Sequence, residues 1–452
     1  MRRQGGLSDL ALDTLWRPFT QHALRQQPMV ITEGKGCLLY DSEGKEYLDG
    51  MSGLWCVAVG YGQEKLVEAA ANQMRKLAYS PLTRPSHVAI ECAEALVSVL
   101  PNGLRHVHLL NSGSEAVETA IKLARQYGRQ AYPKQNRYKI IARYRGYHGW
   151  TMGALGATGQ TARKAIYEPL VAGFLHVRPP DTFRLFAGLS PQEAARQMAQ
   201  EIEETIEFEG PETIAAFIGE PIIGGGGVIV PPEEYWPRVR QLCDKYGLLL
   251  IHDEVITGFG RTGKWFGGET FGVVPDIMTM AKAIVSGYVP MAATATNDKV
   301  FESFLGDVSE NRHFQQISTF AGHPVACAVA IANLSLFREL NLVENAARMG
   351  ERLGNGLRAL QSRHSTVGDV RGKGLLWGLE LVLPGTRDPL PTAKTKQVAA
   401  EAQQRGLLVG TNTATVPRLE NVITIAPPLI VSEAQIDRLV NTLDEALGAV
   451  AV

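Results

Sequence analysis

Residues 248–255 read LLLIHDEV, an apolar run that ends in two acids. An aliphatic run of this kind predicts a strand that is buried on both faces, as in a parallel sheet. Asp253 and Glu254 would then stand at the carboxyl end of that strand, where ligands bind in open α/β sheets. A solvated strand end is the plainer interpretation, and it suits Glu254 better than Asp253.

The segments around this strand repeat an alternation of short apolar runs and helical patterns. Residues 107–110 lead into a helical pattern at 112–127, residues 138–142 form another apolar run, and residues 214–218 lead to Glu220. Strand–helix alternation implies a parallel sheet that is covered by helices on both faces. The predicted fold class is therefore α/β, with a mostly parallel central sheet in a large domain.

The two ends of the chain have a different pattern. Residues 37–49 predict a β-hairpin around the turn sequence DSEG, and residues 375–381 and 421–425 predict strands. Residues 394–404 predict a helix, and a capping box at 432–435 predicts the start of the last one. The predicted parts are an N-terminal segment of a small domain (1–60), a large domain (61–329) and a C-terminal small α+β domain (330–452).

Composition and charge exclude several classes of protein. The chain has 45 Lys and Arg against 46 Asp and Glu, so no basic excess indicates a nucleic-acid or membrane-surface partner. Its five cysteines are scattered and contain no C-x-x-C pair, which favours a reducing compartment without disulfides or a metal site. The first residues lack the apolar run of a signal peptide, and no apolar run is long enough to span a membrane. We therefore expect a cytoplasmic protein.

Residues 258–264, GFGRTGK, match the G-x-x-x-x-G-K pattern of a nucleotide-binding phosphate loop. That loop needs a Ser or Thr next, followed by a helix, whereas Trp265 and a Gly-rich stretch follow here. The acidic strand also directly precedes the loop and leaves no room for the usual fold between them. We reject the nucleotide interpretation.

Residues 111–116, NSGSEA, predict the end of a strand and the start of a helix capped by Ser112. Free N–H groups and the helix dipole make such a start a good anion site. Gly113 would let a phosphate approach the backbone, and Ser114 adds a hydroxyl. A plain helix cap explains the same residues.

A single lysine, Lys282, ends the apolar stretch PDIMTMAKA at residues 275–283. Apolar surroundings lower the pKa of a lysine, and the neutral amine can form a Schiff base. A surface position is the default interpretation of any one lysine.

Together these segments match what pyridoxal phosphate (PLP) requires, namely an anion cradle, a lysine for its aldehyde, a carboxylate for its ring nitrogen and a platform for its ring. Asp253 can keep the ring nitrogen protonated. Tyr147, in the sequence GYHG at 146–149, can supply the platform, because a Gly-flanked aromatic has room to stack.

At this point the sequence resembles the class III aminotransferases, which are fold-type-I PLP enzymes. The resemblance runs from about Trp16 to the last helix and rests on NSGSEA (111–116), YHG (147–149), GEP (219–221), DEVITGFGRTG (253–263), PDIMTMAKA (275–283) and GHP (322–324). It implies the following site: Lys282 on the aldehyde, Asp253 at the ring nitrogen, Gly113 and Ser114 at the phosphate, Tyr147 and Val255 on the two ring faces, and His148 and Glu220 near the cofactor. It also implies that Thr319 reaches the phosphate of a neighbouring subunit, and hence a homodimer or a pair of such dimers.

Within that class, residues 50–57 and 286–290 are similar to the branch that uses ω-amino acids or amines with pyruvate, such as beta-alanine–pyruvate and taurine–pyruvate aminotransferases. In that branch the aromatic at Trp55 lines the substrate pocket together with Tyr147. Ornithine- and GABA-type members carry an arginine where this chain has Thr424, so a fixed carboxylate clamp is not expected. Arg418 is similar in placement to a mobile arginine of the branch that binds a carboxylate, and a solvated surface arginine is the alternative.

The resemblance thus implies transfer of an amino group from an ω-amino acid or amine to a keto acid, pyruvate above all, with a PLP cofactor and no metal. Three alternatives stay open. PLP aminomutases and decarboxylases share Lys282 and Asp253. A diaminopelargonate-type aminotransferase is favoured by residues 15–20, LWRPFT, although Phe19 stands where that enzyme has a tyrosine. A PLP-binding regulator without catalysis is the remaining alternative, and the presence of both Lys282 and Asp253 speaks against it.

Overall fold

A seven-stranded sheet lies at the centre of the protein, which a computed structural model describes over residues 14–451. Over that range the strands are β1 (Ile31–Lys35), β2 (Leu38–Asp41), β3 (Glu46–Asp49), β4 (Leu104–Leu110), β5 (Lys139–Arg143), β6 (Phe174–Val177), β7 (Ile214–Gly219), β8 (Leu249–Asp253), β9 (Ile277–Met280), β10 (Ala292–Asn297), β11 (Val367–Lys373), β12 (Leu376–Leu381), β13 (Leu407–Leu408), β14 (Gly410–Thr411) and β15 (Val422–Ile425).

Helices cover this framework. They are α1 (Ser52–Trp55), α2 (Glu64–Lys76), α3 (His87–Val97), α4 (Gly113–Ala131), α5 (Met152–Ala157), α6 (Thr161–Lys164), α7 (Pro191–Glu209), α8 (Tyr235–Tyr246), α9 (Gly267–Thr270), α10 (Asp298–Glu302), α11 (Pro324–Glu339), α12 (Leu342–Arg363), α13 (Thr392–Gln404) and α14 (Glu433–Gly448).

The central sheet has the strand order β4-β10-β9-β8-β7-β5-β6. Strands β5 to β9 are parallel to one another, and β10 runs antiparallel to both of its neighbours, β9 and β4. The prediction of an α/β fold with a mostly parallel sheet is confirmed. Strand β10 was not predicted, because its sequence AATATN lacks the large β-branched and aromatic residues that mark a strand.

Strand β8 shows why residues 248–255 form a continuous aliphatic run. Leu249 and Ile251 belong to the apolar cluster that includes α4, whereas Leu250 belongs to the cluster that includes α7 and α8. Every residue of β8 is buried. Both faces of the strand therefore need apolar side chains, as expected for a parallel strand between two helical layers.

Two smaller sheets join distant parts of the chain. In the order β1-β2-β3-β13, the antiparallel pair β2–β3 is the hairpin predicted at 37–49, and β13 adds parallel to β3. The other sheet has the order β11-β12-β15-β14, with β12 and β15 at the strands predicted at 375–381 and 421–425. The N-terminal and C-terminal segments thus share one sheet.

The proposed division into residues 1–60, 61–329 and 330–452 stays a prediction. Helix α11 runs unbroken from Pro324 to Glu339, so the boundary between residues 329 and 330 falls inside a helix. The first part also contains residues 1–13, which lie outside the described residues. The expectation that the chain has no signal peptide concerns this same segment.

No single helix in residues 14–451 is long and apolar enough to cross a membrane. The consecutive helices α11 and α12, bent by 59°, meet the criteria of length and composition only as a pair. In the same part of the chain, no group of three or more His, Cys, Asp or Glu side chains could hold a metal ion.

A glycine substitution tests how closely the turn between β11 and β12 packs against the segment that follows β8. Gly374, in the turn between β11 and β12, has a φ of +53°, and a Cβ there would lie 2.3 Å from the carbonyl carbon of Thr262. Gly385 has a φ of +74° with open space around the same position. Both alanine variants pay for the left-handed backbone, but only Gly374→Ala also meets backbone atoms. We expect Gly374→Ala to lower the free energy of unfolding by about 1–3 kcal/mol more than Gly385→Ala in urea titrations. Equal losses in the free energy of unfolding for the two variants would show that the turn at Gly374 moves away from Thr262 easily.

Candidate active site

A cavity of about 320 Å³ opens where the strands of the central sheet end. Its walls follow β4, β5, β7, β8 and β9, and the parallel strands among them all present their carboxyl ends here. The lining residues are Leu54, Cys56, Asn111, Ser112, Gly113, Ser114, Tyr147, His148, Gly149, Trp150, Glu220, Asp253, Val255, Ile256, Ala281, Lys282, Val285, Val289, Pro290 and Met291. The position agrees with the rule that ligands bind at the carboxyl edge of an open α/β sheet.

Asp253 ends β8 with a carboxylate that is held from three directions. His148 Nδ1 lies 2.8 Å from Asp253 Oδ2, while the Thr279 hydroxyl donates to Oδ1 at 3.1 Å and the Val255 N–H donates to the same oxygen at 3.2 Å. Asp253 is only 3% exposed. A buried carboxylate with these partners has a fixed orientation at the cavity wall.

Thr279 was missed by the sequence analysis. It lies on β9 directly opposite Asp253 in the parallel pairing of β8 with β9. Only the register of the two strands brings its hydroxyl to the carboxylate, and register between strands is not readable from either segment alone.

Helix α4 begins at the cavity with the predicted N-cap. The Ser112 hydroxyl accepts a hydrogen bond from the Glu115 N–H at 3.3 Å, but the Glu115 carboxylate turns to the Asn111 N–H, at 2.8 Å, instead of closing a box with Ser112. The N–H groups of Gly113 and Ser114 open the helix and have no helical acceptor. They lie at the helix start where the sequence predicts an anion-binding end.

The space at this helix start depends on two glycines. A Cβ on Gly113 would lie 3.1 Å from Val255 Cγ1, and a Cβ on Gly149 would lie 2.7 Å from Ser114 Oγ. The Ser114 hydroxyl also accepts from the Trp150 N–H at 3.1 Å, which joins the helix start to the loop after β5. Side chains at either glycine would fill the cradle.

Glu220 ties the loop that carries Tyr147 to the end of β7. Its Oε1 accepts from the Tyr147 N–H at 3.0 Å, and its Oε2 accepts from the Gly224 N–H at 2.8 Å. Burial raises the pKa of the Glu220 carboxyl, opposed by the nearby His148 ring. Glu220 therefore holds the Tyr147 backbone at the cavity wall.

Lys282 follows β9 and lines the cavity, so it does not have the default position of a surface lysine. Burial lowers the pKa of its amine, while the nearby Asp253 carboxylate acts in the opposite direction. Its φ of +49° is uncommon for a residue with a side chain. Strained backbone of this kind is concentrated at functional sites.

The cavity brings together eight of the predicted site residues: Gly113, Ser114, Tyr147, His148, Glu220, Asp253, Val255 and Lys282. Three others lie elsewhere in the single chain. Thr319 is exposed, and its carbonyl accepts from the Tyr79 hydroxyl at 2.8 Å. Trp55 is not part of the lining, although both of its chain neighbours are, and its indole N–H is buried without a partner in residues 14–451. Arg418 is exposed and lies outside the lining.

Thr424, where the sequence predicts no fixed carboxylate clamp, is closely packed. Thr424 is fully buried on β15, and its hydroxyl lies 3.6 Å from Met51 Sδ. A Cβ on the neighbouring Gly410 would lie 2.3 Å from the Thr424 hydroxyl. The Thr424 hydroxyl therefore lies in close contact with both neighbouring segments, and Gly410 leaves no space for a side chain of its own there.

The residues present fit PLP. The cavity has a lysine amine, a fixed carboxylate and an aromatic ring, and it has a glycine-dependent cradle at a helix start. His148 Nε2, on the cavity wall, is buried without a hydrogen-bond partner in the described part of the chain. Such an unpaired polar atom is expected beside a polar ligand.

Comparisons with known proteins agree with this geometry. The family model described as aminotransferase class-III matches residues 19–447. The chain is 45% identical to an uncharacterized aminotransferase of Bacillus subtilis over 96% of this chain and 95% of that protein. It is 41% identical to a taurine–pyruvate aminotransferase of Bilophila wadsworthia, covering 98% and 97%. The crystal structure of an (S)-enantioselective omega-transaminase from Thermomicrobium roseum superposes with a TM-score of 0.92 at 41% identity, covering 99% and 98%.

The residue before Asp253 gives a test of pH-dependent stability. His252 is fully buried, contacts Trp236 edge-on at 4.5 Å, and has no partner for either ring nitrogen in residues 14–451. Burial lowers its pKa to about 3. His252 therefore becomes protonated near pH 6.5 in the unfolded chain, but only near pH 3 in the folded chain. The free energy of unfolding falls as the pH drops through that window, because the unfolded chain binds more protons there.

We expect His252→Gln to lose less stability than the wild type between pH 6.5 and pH 5, by about 2 kcal/mol for one proton over that range. Urea unfolding at both pH values measures the difference. His313→Gln, at an exposed histidine, is the matched control and should keep the wild-type pH dependence. The assignment is wrong if His252→Gln and His313→Gln respond alike.

Proposed function

We propose a function from one premise, that the chain belongs to the class III aminotransferase family. It is therefore a PLP-dependent aminotransferase with the fold of the fold-type-I PLP transferases. We assign to it the transfer of an amino group from an ω-amino acid or amine to a keto acid, with pyruvate as the acceptor. The observation that carries this assignment is the convergence of Lys282, Asp253 and the start of α4 in one cavity.

Bound PLP supplies an aldehyde that bonds to amines and a ring that takes up electrons from the donor carbon. The N–H groups of Gly113 and Ser114 would hold its phosphate, as helix starts hold anions. Tyr147 and Val255 would lie against the two faces of the ring. The fit rests on the glycine-dependent space at the helix start.

Lys282 would be both the attachment point and the proton carrier. Because burial lowers its pKa, the amine is more easily neutral than a surface lysine, which suits bonding to an aldehyde. Once an amine donor has taken its place, the free Nζ can remove the proton from the donor carbon and return it on the cofactor side. The same residue then serves the reverse half-reaction with the keto acid.

Asp253 would keep the proton on the ring nitrogen of the cofactor. Its orientation is set by His148 and Thr279, so its charge faces the cavity without reorganisation. Glu220 contributes indirectly, because it anchors the backbone of Tyr147.

Substrate selection would come from residues at the edge of the site. The closed packing around Thr424 supports the absence of a fixed carboxylate clamp. Arg418, exposed on the loop before β15, would swing towards a carboxylate and away from an uncharged amine. Trp55 would complete the pocket beside Leu54 and Cys56.

A homodimer completes the site. Two residues of the cavity wall, Leu54 and Trp150, are 65% and 72% exposed in the single chain. Phe320 and Ile317, beside Thr319, are 60% and 70% exposed. Exposed apolar side chains on one wall and around Thr319 support a second subunit that covers the cavity and brings its Thr319 to the phosphate.

We also assign the enzyme to the cytoplasm. All five cysteines are free, and four of them are buried, which suits a reducing compartment.

Replacing the lysine tests the proposed function. Lys282→Ala removes the amine that bonds to PLP and carries the proton, so the purified variant should lack the visible absorption of lysine-bound cofactor. Activity with pyruvate and 1-phenylethylamine, beta-alanine or taurine should fall by at least about 10²–10⁴-fold. Lys264→Ala, at an exposed lysine, should keep both. A Lys282→Ala variant with wild-type absorption and turnover would overturn the assignment.

Replacing Arg418 tests acceptor binding. Arg418→Ala should raise the KM for pyruvate by about 10–100-fold, because a charged hydrogen-bonded pair is lost, and should leave the half-reaction with 1-phenylethylamine within about threefold of wild type. Stopped-flow measurement of each half-reaction separates the two effects. Arg129→Ala, at an exposed arginine of α4, is the control. Equal losses in both half-reactions would count against the carboxylate role.

A further inference from the structure

A fully buried asparagine lies on an apolar helix outside the cavity. Asn333 belongs to α11, and the other buried residues of that helix are Pro, Val, Ala, Cys, Leu and Phe. A leucine of similar volume would pack at such a position without the cost of burying a polar amide. The amide is therefore expected to have partners that repay its burial.

The partners of the Asn333 amide all belong to one short segment. Its Nδ2 donates to the carbonyl of Ala283 at 2.9 Å and to that of Ile284 at 3.1 Å. Its Oδ1 accepts from the Ser286 hydroxyl at 2.8 Å. Both N–H donors of the amide are thus matched by carbonyls. These partners lie within residues 282–286, which we call the Lys282 turn.

The backbone of the Lys282 turn is strained at both ends. Lys282 has a φ of +49° and Ser286 a φ of +48°, in the left-handed region that disfavours residues with side chains. The hydrogen bonds within the turn are long, at 3.4 Å from the Val285 N–H to the Lys282 carbonyl and 3.3 Å from the Ser286 N–H to the Ala283 carbonyl. Strained backbone persists only when its surroundings hold it in place, and Asn333 supplies three shorter bonds.

The Lys282 turn forms part of the cavity wall. Lys282 and Val285 line the cavity, whereas Asn333 does not. At the far end of the turn, the Ser286 hydroxyl also accepts from the Val59 N–H at 3.3 Å. A shift of the turn would move the backbone from which the Lys282 side chain extends. Proton transfer is sensitive to such a shift, because a displacement of about 1 Å can cost about 10²-fold in rate.

We propose that Asn333 is a positioning residue for Lys282, which holds the Lys282 turn so that the amine reaches both the cofactor aldehyde and the donor carbon. The proposal rests on the aminotransferase function above and deepens it, because it assigns control of the proton carrier to a residue outside the cavity. Asn333 acts through the turn alone.

The half-reaction of the holoenzyme with 1-phenylethylamine tests the proposal by stopped flow. Asn333→Leu keeps the volume of the side chain and removes its hydrogen bonds. We expect the maximal rate to fall by about 10–100-fold, with the half-saturating donor concentration within about threefold of wild type. A donor with deuterium on the carbon that bears the amine should be slowed more in Asn333→Leu than in the wild type, because proton transfer becomes the slow step.

Asn345→Leu is the matched control. The Asn345 amide, on α12, also donates to two backbone carbonyls, those of Leu429 at 2.6 Å and Val431 at 3.2 Å, but its partners lie outside the Lys282 turn. It should lower the free energy of unfolding in urea and keep the wild-type rate and isotope ratio. If Asn333→Leu and Asn345→Leu change the rate and the isotope ratio alike, Asn333 has only a structural role and the proposal is overturned.

Ser286→Ala is a milder variant for the case that Asn333→Leu does not fold. It removes the hydroxyl that joins the Asn333 amide to the end of the Lys282 turn. The maximal rate should fall by about three- to tenfold, with a larger isotope ratio than in the wild type. An unchanged rate and isotope ratio in Ser286→Ala would contradict the proposal.

Attachment of PLP to the apoenzyme gives a readout that does not depend on turnover. The visible absorption of lysine-bound cofactor should develop at least about tenfold more slowly in Asn333→Leu than in the wild type, and at the wild-type rate in Asn345→Leu. Equal rates in all three proteins would refute the positioning of Lys282 by Asn333. If the wild type attaches PLP but transfers no amino group, the proposed function fails, and the attachment rates still decide the role of Asn333.

Discussion

The carboxylate of Asp253 is the constraint on which the site depends. It ends a strand that is buried on both faces, so its charge could be placed there only with partners that satisfy it. His148 and Thr279 supply these partners from the loop after β5 and from β9. Each partner is itself part of the cavity wall or of the sheet, and the charge therefore fixes how three segments of the chain meet.

The parallel arrangement of the strands explains why so few residues are needed. Strands β5, β7, β8 and β9 all end at one edge, so the residues that follow them meet in a single cavity although they are distant in the chain. The helix start at Gly113 adds an anion-binding end to this edge. The Trp150 N–H donates to the Ser114 hydroxyl and the Tyr147 N–H donates to Glu220 Oε1, and these two hydrogen bonds hold neighbouring segments together. The sheet topology brings the site residues to one edge, and these contacts fix the positions of the loops that carry them.

Sequence patterns predicted the fold and most of the cavity because those features are local. The aliphatic run of β8, the cap at Ser112 and the lysine after β9 each lie in one short segment. Features that depend on pairing or packing were not predictable in the same way. Thr279 acts through strand register, and β10 escaped notice because its small residues pack without a distinctive pattern.

Three of the predicted site residues do not line the cavity of the single chain. Thr319, Trp55 and Arg418 lie outside the lining of the cavity, and two of the three are exposed. Their roles came from a family pattern, in which a second subunit and a moving loop complete the site. In the dimer that we propose, the groups they would contact belong to a partner or to another position of the loop.

Charge inside the cavity explains why acid recognition belongs at its edge. Asp253 and Glu220 both line the interior, so a carboxylate or sulfonate of the substrate placed beside them would be repelled in a medium that screens charge poorly. Thr424, where the sequence predicts no arginine clamp, is packed against Met51 and Gly410. We propose that a cation which binds an acid group of the substrate stands outside this interior, where the exposed Arg418 lies. On this proposal, an amine without an acid group does not need that cation.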